Sequence, residues 1–176
     1  MKYFVILLNI IMLTAACQTK TKQPMQVSTK TINGNETDVL SKEEQALSKF
    51  YKAFNTKDMS LMSESWLNTD EISMDNPIGG IRRGWEEIKN GYLKIFSGKA
   101  QVHVEFYDYT IHSSENMFFA VGRERGYFKI NEIEIQLAIR TSRIFIKLDG
   151  EWRQIHHHGS IDNPELLKNY QEAVLK

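Results

Sequence analysis

The chain has 176 residues, 41% hydrophobic and 25% charged, which fits one ordinary globular domain behind a leader and excludes a multidomain enzyme. Its 22 Lys and Arg balance 22 Asp and Glu, so composition forces no basic face and nucleic acid is not an expected partner. A single cysteine excludes an internal disulfide, a thiolate zinc site and a two-cysteine redox centre.

Met1 and Lys2 lead into an apolar run from Tyr3 to Leu13, broken by Asn9 and followed by Thr14, Ala15, Ala16 and Cys17. Spanning hydrocarbon takes about 20 apolar residues, so this shorter run reads as a secretory signal peptide over residues 1–16. The string LTAAC resembles the bacterial lipobox. That resemblance implies lipidation of Cys17 and attachment to the cell envelope through lipid alone. Because Gln18 follows the cysteine, it also implies the outer membrane, with the domain facing the periplasm. From Gln18 to Ser41 the chain is mostly Lys, Thr, Gln, Asn and Ser, so residues 17–41 read as a lipidated cysteine and flexible tether ahead of a domain at 42–176.

Ser41 and Glu44 make a capping-box pattern, and Leu47, Phe50, Tyr51 and Phe54 at helical spacing predict a helix over 42–55. Asp58 is a good N-cap for a second short helix through Leu61, Met62 and Trp66. Glu71 to Asp75 alternates like a strand and stops at Asn76 and Pro77, and Gly79 and Gly80 mark a turn. Trp85, Ile88, Tyr92, Ile95 and Phe96 share one face of a third helix ended by Gly98. Beyond it the chain alternates at period two, with turns at Ser113 to Asn116, Asn131 and Asp149-Gly150, which predicts four long strands. The apolar parity switches from Val104 and Phe106 to Tyr107 and Tyr109, so a bulge is expected near Asp108. Pro164 opens a terminal helix carrying Leu166, Leu167, Tyr170 and Val174. The predicted class is α+β: a cone-shaped, curved antiparallel sheet wrapped around three N-terminal helices and enclosing a pocket.

This order of elements resembles the nuclear transport factor 2-like superfamily, which includes SnoaL-like cyclases and ketosteroid isomerases. The run SRIFIKLDGEWRQIHHHGS, Ser142 to Ser160, is similar to the last two strands of the association domain of calcium/calmodulin-dependent kinases, and AVGRERGY, Ala120 to Tyr127, to an earlier strand of it. The resemblance puts pocket arginines at Arg123 and Arg143. A third pocket arginine of that family aligns with Gly159, and His157 can partly substitute for it. Resemblance to the isomerases puts a general base at Asp75 and an oxyanion-donating tyrosine at Tyr51. Asp-Asn-Pro is also a plain turn signal, and no clear equivalent of their second acid appears.

The residues add their own constraints. Arg143 shares parity with Ile139 and Phe145, so it points inward and must meet a buried carboxylate or an anionic ligand. Arg123, Glu124, Arg125 and Arg140 also read as a solvated face with cross-strand ion pairs. Strict alternation would put His156 and His158 on one face with Trp152, Gln154 and Ser160, and His157 on the other with Ile155. That separation disfavours a metal site; none is expected, nor is a cofactor. The expected function is a non-catalytic module that assembles or binds a small acidic or amphipathic molecule. Arg143, Arg123 and His157 would hold an anionic end, and Tyr51, Trp66 and Tyr127 would line the apolar part. The alternative is an isomerase, cyclase or hydrolase using Asp75 with Tyr51 or a histidine. A homodimer through the broad sheet face is expected.

Overall fold

The computed structural model describes residues 26–174; the expected signal peptide, Cys17 and the first part of the tether lie outside the described residues. Helix α1 spans Lys42–Asn55. Its capping box forms as the sequence implies, with Ser41 accepting from Glu44 N–H and Glu44 reaching back to Ser41 N–H. Helix α2, Met59–Ser65, starts at Asp58, whose carboxylate accepts from Leu61 N–H. Helix α3 covers Gly84–Ser97 and α4 covers Pro164–Val174. Among the described residues no helix is long and apolar enough to cross a membrane.

The strands are β1 (Ser73–Asp75), β2 (Ile81–Arg83), β3 (Gln101–Ser113), β4 (Met117–Ile130), β5 (Ile133–Leu148) and β6 (Glu151–Ser160). They form one unclosed six-stranded sheet in the order β2-β1-β6-β5-β4-β3. The four long strands make the expected antiparallel meander. The short β1 joins it parallel to β6, so the sheet is mixed, and β2, too brief to show periodicity, pairs with β1 as a hairpin across Gly79 and Gly80.

Curvature comes from the bulge expected near Asp108, where the β3–β4 register slips between Tyr107 and Thr110 and Asp108 takes φ +49°. The slip turns both Phe106 and Tyr109 inward, their rings stacked at 4.8 Å. Gly122 on β4 makes room, since a Cβ there would lie 2.7 Å from both side chains. The concave face closes over Leu47, Phe50 and Tyr51 of α1, Met62 of α2 and Ile88 and Tyr92 of α3.

The expected tether is ordered where it is described. Ser28 and Ile32 bridge to Tyr109 and Phe106 of β3, and Ile32 is fully buried. A chain this polar still lies down because Ile32 gains a core site and its N–H and C=O both pair with Phe106. Glu36 then ties the following turn by accepting from Asn33 N–H, Gly34 N–H and the Ser48 hydroxyl.

Candidate functional site

Inside the cone, α1, β4, β5 and β6 bring four polar side chains into an apolar interior. Arg143 on β5 donates from Nη2 to Glu124 Oε1 at 2.8 Å, from Nη1 to Gln154 Oε1 at 3.0 Å and from Nε to Tyr51 Oη at 3.1 Å. Tyr51 in turn donates to Glu124 Oε1 at 2.7 Å. The Arg143 guanidinium lies 3.8 Å from the Phe50 ring centroid, so its face is covered as well. Burial, opposed by the Arg143 charge, pushes the Tyr51 phenol far above its ordinary value and keeps it neutral. The inward arginine therefore has its counter-charge within the protein, and Glu124 is that carboxylate.

Beside this cluster stands His157, cross-strand from Arg143 and next to Met74 of β1. Its Nε2 lies 3.0 Å from the Thr141 hydroxyl, which itself donates to the His158 carbonyl at 3.0 Å. Burial first, and then the Arg143 charge, hold its imidazole well below the usual histidine range, so it is neutral.

Tyr51, Glu124, Arg143 and His157 floor a cavity of about 70 Å³ whose walls are mostly apolar, including Phe50, Phe54, Met74, Tyr92, Leu137 and Ile139. A larger hollow of about 430 Å³ adjoins it, sharing Phe54, Asn76, Ile95, Val102 and Tyr170 and bordered by Lys94 and Lys99. Helix α4 stands at this vestibule: Tyr170 packs on Phe128, and Gln171 donates to the Ile78 carbonyl at 2.8 Å. Burial pushes the Tyr170 phenol up to about 12.

Of the residues predicted for the site, Tyr51, Arg143 and His157 meet in the cavity. Trp66 is buried one layer behind, packed on Tyr92 and absent from the cavity wall. Arg123 and Tyr127 are corrections. Parity with Phe118, Ala120 and Phe128 sends Glu124 inward and its neighbour Arg123 outward, where Arg123 is 55% exposed and paired with Asp108 at 3.1 Å. Tyr127 stacks on His103 on the same outer side. Asp75 is a third correction, because Met74 takes the inward position of β1 while Asp75 meets His158 Nδ1 at 3.2 Å outside the cavity. Asp75 is thus absent from the cavity wall.

Two members of the buried polar cluster carry no clear mark in the sequence. Glu124 was legible from its parity but looked like part of the Arg123-Glu124-Arg125 charge run. Gln154 was hidden by a second bulge: the β5–β6 register slips between Ile144/His156 and Phe145/Gln154, leaving Ile155 unpaired. Counting straight through Ile155 puts Gln154 on the wrong face, whereas it is fully buried on the face of His157. Gly159, aligned with the third arginine, lies against the Pro77 ring, and a Cβ would approach it to 3.1 Å. The Asn76-Pro77 turn occupies the space an arginine would need.

A curved sheet coiled around helices, with a cavity in its hollow, defines the nuclear transport factor 2-like class. The chain belongs to the SnoaL-like domain family, which matches residues 44–164. Comparison with the curated proteins gave no match. Among solved structures, an NTF2-like dehydratase from Streptomyces avermitilis is similar with a TM-score of 0.63 at 15% identity, covering 68% of this chain and 93% of that one. A calcium/calmodulin-dependent protein kinase type II association domain from Thiobacillus denitrificans gives 0.56 at 19% identity, covering 72% and 99%. A ketosteroid isomerase from Shewanella frigidimarina gives 0.57 at 16% identity, covering 68% and 95%. At these identities the likeness concerns the fold.

Proposed function

We propose that this chain is an envelope-anchored, non-catalytic binding domain that takes a small amphipathic molecule into its cone. The observation that carries this is the pairing of an apolar vestibule of about 430 Å³ with an inner cavity of about 70 Å³ whose floor charges already balance each other. A water needs about 15 Å³ in this measure, so the inner cavity holds the volume of only a handful and suits a polar head, while the ligand's body lies in the vestibule. A catalytic role draws no support from the site: Tyr51 is committed to Glu124 and Arg143, and Asp75 faces away. Cys17 carries the lipid, at the periplasmic side of an outer membrane. Two copies pair through the outer sheet face, where Met117, Phe119 and Val121 are exposed.

Native mass spectrometry of the protein purified untagged from its own envelope tests ligand and oligomer together. The expected spectrum is a dimer that retains a small-molecule adduct, unchanged in Asp75→Asn. Adduct-free monomer at tens of micromolar, where micromolar dimers persist, would overturn both parts.

A further inference from the structure

We propose that the inner cavity receives the hydroxyl of a neutral alcohol or phenol, which donates its hydrogen bond to Nδ1 of His157; this rests on the ligand-binding proposal above and names the chemistry of its ligand. The hydrogen-bond directions around His157 lead there. A carbonyl oxygen can only accept, so the Thr141 hydroxyl proton goes to the His158 carbonyl. That leaves Thr141 Oγ1 to accept from His157 Nε2–H at 3.0 Å. A neutral imidazole has one N–H, so Nδ1 is a bare lone pair.

That lone pair is buried on a side chain only 6% exposed, and it has no partner among the described residues. Two other buried atoms share this condition, Trp66 Nε1 and Gln154 Nε2, but both are donors on residues outside the cavity wall. His157 is the member of that set that lines the cavity. An orphaned acceptor buried on a residue of the cavity wall is costly until a donor reaches it.

The neighbours define the donor further. Arg143 uses three of its five N–H groups on Glu124, Gln154 and Tyr51, so N–H groups remain for an oxygen placed beside His157. A hydroxyl can donate to Nδ1 and accept at the same oxygen. A carboxylate has no proton for Nδ1 and would bring a second negative charge beside Glu124, whose own charge already balances Arg143. Because burial and Arg143 make this imidazole a weak base, it holds the hydroxyl without removing its proton.

The test compares phenol, its methyl ether anisole and benzoate, titrated into the purified protein and followed by amide chemical shifts of cavity residues. One net hydrogen bond gained, against an acceptor left bare, predicts phenol binding about tenfold more tightly than anisole, with benzoate weakest. In His157→Phe the phenol-to-anisole ratio should fall to about one. Independently of any variant, the imidazole ¹⁵N signals of His157 should show a pyridine-type Nδ1 that moves on adding phenol and not on adding anisole. Equal binding of phenol and anisole, tightest binding of benzoate, or a protonated Nδ1 would overturn the hydroxyl assignment and leave the cavity as a binding site. Failure of all three probes to enter would overturn the binding proposal itself.

Discussion

Replacing Arg143 by Met keeps most of its volume but strands Glu124, whose side chain is 5% exposed against 2% for Arg143. Breaking a buried pair by removing one partner costs about 3–5 kcal/mol, because the remaining charge is left without compensation. At about 2–4 °C per kcal/mol for a domain of this size, the thermal midpoint should fall by roughly 6–20 °C. Adding Glu124→Gln removes the stranded charge while keeping an amide oxygen for Tyr51, and should recover at least about 2 kcal/mol of the loss. Arg123→Met supplies the contrast: its partner Asp108 is on the exposed face, so the change should stay within about 0.5 kcal/mol. Urea and thermal denaturation followed by circular dichroism measure all four proteins. An Arg143→Met variant as stable as the parent, or no recovery on adding Glu124→Gln, would refute the idea that these two charges are paired at the cavity floor.

Stability should also depend on His157 through pH. Its folded-state proton affinity lies well below the ordinary value of 6.5, so the unfolded chain takes up a proton first as pH drops. The associated stability is complete above 6.5 and is lost as pH falls below it, with a slope approaching 1.4 kcal/mol per pH unit, about one proton's worth. His157→Gln should flatten the thermal-midpoint profile between about pH 6.5 and 5, and an unchanged slope would count against a buried neutral imidazole. Growth with a fatty-acid probe should label the wild-type protein and not Cys17→Ala; equal labelling of the two would remove the lipid anchor.

Local signals carried most of the architecture. The Ser41 and Glu44 pair set the start of α1, and the change of parity around Asp108 announced the bulge that bends the sheet. Parity also turned Arg143 inward and required a partner for it. Naming that partner needed cross-strand register, which a single strand does not contain: Glu124 lies 19 residues away in sequence and reaches Arg143 only once β4 and β5 pair. Gln154 needed the position of the Ile155 bulge, and nothing in the residues Gln-Ile-His distinguishes a bulged strand from a regular one. Asp75 was placed by analogy, and one residue of alternation in a three-residue strand decides whether it or Met74 faces the hollow.

Ile32 also bears on how the edge of the sheet is protected. Strand β3 is one edge of the sheet, and residues 28–32 supply backbone partners along part of it, which blunts a row of groups open to pairing with another chain. A fragment cut at Lys42, where the helical pattern begins, would bare that edge and should associate edge to edge. The same segment shortens the leash. In the lipid-anchored form proposed above, the ten residues from Cys17 to Val27 would span at most about 36 Å when fully stretched. Such a tether would keep the β3 edge within about that distance of the lipid surface.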